Sequence, residues 1–224
     1  MLTGGTPIAI AVLCITVQYS VTQFSHSANW TRLTIPADSG ILYSGISNRV
    51  CKVALKAQDI LVLLKLVAQR DERWTYSQLA AELDLSPSQV HAAVRRIVRS
   101  GLALDENDHV RIHTRNLEEF LLHALRYISV PEKGPKSRGM ATLTSAPPFA
   151  SLFLSEDEPI VWPDPSGEVL GESLAPIYKS APAAAKRDPD LYELLVIADA
   201  LRAGRARERQ AAVKELKKKI RAYG

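Results

Sequence analysis

Cysteine is nearly absent. Cys14 and Cys51 are the only two in 224 residues, and no Cys-x-x-Cys occurs, so no disulfide framework is implied and the usage fits a cytoplasmic protein. No Lys or Arg precedes Arg32, which argues against a secretion signal with a basic start. The only long apolar run, Pro7 to Val21, is too short and too polar at its end for a spanning helix, so no membrane partner is expected. The stretch GPKSRG at Gly134–Gly139 lacks the GxxxxGK[ST] spacing of a phosphate loop. Asp157, Glu158, Asp164 and Glu168 resemble a catalytic cluster in composition, but no Ser/His or Cys/His partner accompanies them, and turn chemistry accounts for Asp164. His109 and His113 share a strand face but are too far apart to hold a metal without further ligands. These absences predict no catalytic residues, no metal and no cofactor, hence no enzyme.

Charge is also missing in patches. The net charge of +4 hides a C-terminal concentration: residues 202–221 hold nine Lys/Arg against Glu208 and Glu215, and removing their +7 leaves the rest at −3. Residues 151–172 carry six acids and no Lys or Arg, whereas no acid lies between Asp84 and Asp105. Hydrophobic residues make up 46% of the chain, enough to core one sizeable domain or two small ones.

The acid-free stretch belongs to the most informative segment, Tyr76 to Leu102. Its sequence predicts a helix over about Ser77–Leu83, capped by Ser77, with Leu79, Ala80 and Leu83 facing inward. Asp84 stands where a tight turn needs a left-handed residue. Ser86 then opens a second helix over 87–100, with Pro87 at the first helical position and Gln89 completing a capping box. Val90, Ala93, Val94 and Ile97 face inward. Ser88, Gln89, His91, Ala92, Arg95, Arg96 and Arg99 face out. Gly101 ends the helix, and Leu102–Leu104 and His109–His113 alternate like two short strands around Asp105-Glu106-Asn107-Asp108.

Helix, helix, turn, helix and hairpin, with Leu79-Ala80, Asp84-Leu85-Ser86, Val90, Ile97 and Gly101-Leu102 in place, resemble the winged helix-turn-helix domains of MarR-like transcriptional regulators. The resemblance covers about Leu55 to Ser129. It implies a regulator that binds double-stranded DNA as a homodimer, with the second helix in the major groove. Carried over, Ser88, Gln89, Ala92 and Arg96 match base-facing positions, and Arg95 and Arg99 match phosphate-facing ones. Ser86 and His91 complete the candidate set on this helix, and Arg111 is the cation the wing offers. The acidic wing tip departs from the pattern. The same basic surfaces suit RNA.

The expected fold is mainly α with a small β wing: a winged helix-turn-helix at 54–129, a linker at 130–150, and a C-terminal extension at 151–224 with a hairpin and two helices. Residues 1–49 read as a poorly ordered extension, and translation starting near Val50 or Val53 is one reading of the organised sequence that follows. Leu55–Gln69 is apolar on more than one side, so it needs two neighbours, one of which a second subunit would supply. Asn116-Leu117-Glu118-Glu119 reads as a capping box that opens a helix to about Ser129, again with apolar surplus. Pro, Gly and Lys between Val130 and Pro148 suggest a flexible basic loop. Ile160–Trp162 and Glu168–Leu170 flank a turn and read as a hairpin or as paired extended segments, and 190–203 and 205–221 as helices. The rival function from another class is a protein-interaction module, antitoxin-like or an adaptor, in which the winged helix is a scaffold and a protein partner sits on the acidic region and the last helices.

Overall fold

The computed structural model describes residues 55–70, 73–106, 109–153 and 158–223. Residues 1–49, with the Pro7–Val21 run, and both cysteines lie outside the described residues. No described helix is long and apolar enough to cross a membrane.

The order is α1 (Ala57–Gln69), α2 (Tyr76–Leu83), α3 (Pro87–Arg99), β1 (Ala103–Glu106), β2 (His109–Ile112) and α4 (Thr114–Glu119), which runs through a π-helical turn (Phe120–Ala124) into α5 (Leu125–Ile128). Then come β3 (Lys133–Thr142), a 3-10 turn (Leu143–Ser145), β4 (Ile160–Pro163), β5 (Val169–Leu174), α6 (Ala181–Arg187), α7 (Pro189–Ala203) and α8 (Ala206–Tyr223). This is a winged helix-turn-helix followed by C-terminal helices, with a small three-stranded unit between them.

The apolar excess of α1 explains the architecture. Every residue from Asp59 to Val67 is buried. One side of α1 packs on α3 and α2; the other packs on α7. The second neighbour expected from a partner subunit is therefore supplied by this chain. Helix α7 is itself buried from Leu194 to Arg202, so it acts as the central rod of the C-terminal part.

Several sequence expectations change. Residues 130–150 hold the ten-residue strand β3 rather than a linker, and the described residues all belong to one compact unit, Val50–Gly224. The residues that suggested a loop have strand roles. The bulge between Gly134 and Lys136 accommodates Pro135, which has no N–H to donate. A Cβ on Gly139 would lie 2.0 Å from the carbonyl oxygen of Trp162, so only glycine permits the crowding of the three strands. Of the two readings, hairpin or paired extended segments, the second describes β4 and β5: each pairs antiparallel with β3, and their own pairing is parallel, Ile160 with Glu172 and Val161 with Ser173. The reason is that β3 is long enough to bond to both.

The carboxylates that looked like a cluster are dispersed. Glu158 pairs with Lys136 and Asp164 with Lys186 at 2.5 Å, while Glu168 is exposed. Lys186, together with the Ser166 N–H and hydroxyl, holds the Asp164 carboxyl down at about 2. Asp157 lies outside the described residues. The unit is tied to α7 by a buried polar knot. Asp199 accepts from Trp162 Nε1 at 2.6 Å and Thr142 Oγ1 at 2.9 Å, and pairs with Arg202 at 2.8 Å.

Candidate nucleic-acid interface

The recognition element is built locally. Thr75, one position before the first helix residue, caps α2, accepting from Gln78 N at 3.2 Å, with the Gln78 side chain returning the bond. Ser77, expected as the cap, lies inside the helix; Thr75-x-x-Gln78 is the stronger capping box. Helix α2 ends at Asp84, which adopts the left-handed conformation at φ 52°, ψ 46°. The chain then enters α3 as its residues dictate: Ser86 accepts from Gln89 N at 3.2 Å, Gln89 Oε1 accepts from Ser86 N at 2.8 Å, and Pro87 sits at the first position. Gly101, at φ 74°, turns the chain out of α3. Asn116, expected as a cap, lies within α4 and donates from Nδ2 to the Gly101 carbonyl at 2.7 Å. His113 caps α4 instead, its Nδ1 accepting from Asn116 N at 3.3 Å.

Val90, Ala93, Val94 and Ile97 are buried, as the helical period requires. The opposite face divides. At about 100° per residue, Ser88, Ala92, Arg95 and Arg99 lie within roughly 60° of one another. Ser88, Arg95 and Arg99 are exposed and Ala92 is half-buried. Among the described residues, neither Arg95 nor Arg99 has a hydrogen-bond or ion-pair partner. That leaves two free cations on a helix face with no acid of its own.

The flanking positions are occupied. Arg96, expected to face bases, turns back onto α1. Its Nε and Nη2 donate to Asp59 Oδ2 and Oδ1 at 2.7 and 2.6 Å, and Asp59 is fully buried. Arg96 lies about a quarter turn from the exposed stripe, where α1 packs, and a buried carboxylate there demands a cation. The bond to Asp59 raises the Arg96 guanidinium above its ordinary value against the lowering by burial. On the other flank, His91 meets Tyr76 edge-on at 5.2 Å, and Tyr76 meets Trp74 at 5.3 Å. Gln89 is exposed, but its carbonyl oxygen serves the capping box. Ser86 is likewise committed to the cap, and its hydroxyl also lies 2.9 Å from Ser88 Oγ.

The wing differs from expectation in register. Asp105 and Glu106 pair with Val110 and His109 inside the β1–β2 ladder, so only Asn107 and Asp108 lie between the strands, outside the described residues. Arg111 is exposed on β2.

Helix α8 engages much of its charge within the chain. Lys219 pairs with Glu193 at 2.6 Å and Asp190 at 3.3 Å, Lys217 with Glu118 at 3.5 Å, and Lys218 with Glu215 at 3.6 Å. Lys214 and Arg221 remain exposed.

A capped helix, a left-handed turn and a second helix with a bare cationic face define a helix-turn-helix of the DNA-binding type. Residues 60–104, from α1 into β1, match the model of the IclR helix-turn-helix domain. That match supports a DNA-binding transcription regulator. IclR is a different family from the MarR-like one the sequence resembles, and the helix-turn-helix is what they share. Comparison with curated proteins and with solved structures finds no match.

Proposed function

We propose that this protein is a sequence-specific DNA-binding transcriptional regulator in which α3 enters the major groove. The observation that carries this reading is the stripe of Ser88, Ala92, Arg95 and Arg99. It is accessible and cationic, and it lies on the helix that the IclR match includes. Ser88 and Ala92, near the N-terminus of α3, lie where base edges are read, with the Gln89 amide beside them. Arg95 and Arg99 lie where phosphates pass. Arg111 on the wing is a further phosphate contact. Arg96 positions α3 instead of reading bases. A homodimer would cover Tyr127 and Val130, which are 73% and 67% exposed, and would give the DNA site two half-sites.

The test is binding of the full chain to sequences selected from a random duplex pool, followed across salt concentrations. Each neutralised phosphate contributes about 0.9 to the slope of log affinity against log salt. Arg95→Gln with Arg99→Gln is expected to lower the slope by about 1.8 per bound protomer. An unchanged slope, or a stoichiometric protein partner with no DNA binding, moves the assignment to an interaction module.

A further inference from the structure

Helix α2 is short and carries no cation in its last turn. Its last carbonyls have no partners within the helix, as at any helix end. Ala80 O accepts locally, from Asp84 N and from Leu85 N at 2.9 Å. The other three are satisfied from about a hundred residues away. Arg187 Nη1 donates to Ala81 O at 3.2 Å and Glu82 O at 2.9 Å, and Ser180 Oγ donates to Leu83 O at 2.6 Å. Arg187 Nη2 also holds both oxygens of the Asp84 carboxylate, at 3.0 and 3.1 Å. Ser180 and Arg187 are the residue before α6 and its last residue, so α6 lies across the end of α2 as a brace. Lys65, buried in α1, adds a third tie by pairing with Glu82 and Asp188, each at 2.6 Å.

We propose that α6 is a clamp on the helix-turn-helix turn and that Arg187 is a positioning residue for DNA recognition. The inference rests on the DNA-binding reading above. Asp84 adopts a conformation that is uncommon for a residue other than glycine, and two residues later Ser86 caps α3. The turn therefore sets the angle at which α3 leaves α2. A forked guanidinium holding two carbonyls and a carboxylate together fixes that angle. It also neutralises an exposed acid beside the surface that phosphates approach. A lysine supplies the charge but not the fork.

The experiment uses the full chain as Arg187→Gln, Arg187→Lys and Asp84→Asn. Arg187 is 47% exposed, so the variants are expected to fold, and thermal midpoints check this. Amide hydrogen exchange is read at Leu85 and Ser86, with α8 as internal reference. Arg187→Gln is expected to speed exchange at the turn about tenfold with α8 unchanged, and Arg187→Lys to fall between. On DNA, Arg187→Gln is expected to weaken the selected site about tenfold more than random duplex, with the salt slope unchanged. A global loss of stability alone would not change that ratio. Wild-type exchange at the turn in Arg187→Gln overturns the clamp, whether or not the chain binds DNA. A slope lower by about 0.9 overturns it differently, by making Arg187 a phosphate contact. Absence of DNA binding by the wild-type chain would remove the regulator reading, while exchange would still decide the clamp.

Discussion

Arg95, Arg96 and Arg99 stand within one turn and a half of helix, and their chemistry is alike, yet they do different work. What separates Arg96 is a single buried carboxylate. Asp59 accepts from the Lys56 N–H at 2.8 Å and from two guanidinium nitrogens, so it is fully satisfied only while Arg96 stays in place. Removing one member of a buried pair costs about 3–5 kcal/mol, and the 19% exposure of Arg96 puts this pair at about 3. Arg96→Ala is expected to lower the denaturation midpoint accordingly. A variant of unchanged stability that loses discrimination between the selected site and random DNA would return Arg96 to the base-reading set.

At the scale of elements, the short helices are held by charges from elsewhere in the chain. Lys65 links α1 to α2 and to the start of α7. Burial lowers its pKa, but the hydrogen bonds and charges of Asp188 and Glu82 outweigh that and raise it above 10.5. A raised folded-state value on a cation means that its stabilisation is complete below the unfolded value and is lost as pH rises through the folded one. The stability gap between the wild type and Lys65→Met is therefore expected to stay flat from about pH 6 to 9 and to close only above the ordinary lysine value. A gap that already closes near neutrality would mean that the ammonium is not what holds α2 to α7.

At the scale of the whole molecule, the described residues form one unit because α1 is shared. It is the core of the helix-turn-helix and also the surface on which α7 lies. A fragment cut at Ser129, the expected end of an independent winged helix, would expose that face. Each large apolar side chain returned to water costs about 1.5–3 kcal/mol. Four of them would cost about 6–12 kcal/mol, comparable with the whole stability of a domain, about 5–15. The fragment 55–129 is expected to show no cooperative thermal transition, whereas the chain from residue 50 onward is expected to show one. A cooperative transition in the fragment would restore the linker at 130–150 as a true boundary.

Local rules were sufficient for α3 and its turn. The Ser86–Gln89 capping box, Pro87, the left-handed Asp84 and the inward stripe of Val90, Ala93, Val94 and Ile97 all act within about two turns of helix, so this element and its exposed side are legible in the chain's local pattern. Thr75 and His113, the caps of α2 and α4, lie two and three residues before the expected Ser77 and Asn116, because several polar side chains compete there and only the backbone path selects among them. Helix α6, the parallel pairing of β4 with β5, the strand at 133–142, the pairing of Arg96 with Asp59 and the brace of Arg187 on the turn arise only in the folded chain. Each depends on a partner far away in sequence: Asp59 for Arg96, β3 for β4 and β5, the carbonyls of Ala81 to Leu83 for Ser180 and Arg187. Periodicity shows which side of a helix is apolar, but it cannot show whether that side meets another copy of the chain or the chain's own α7.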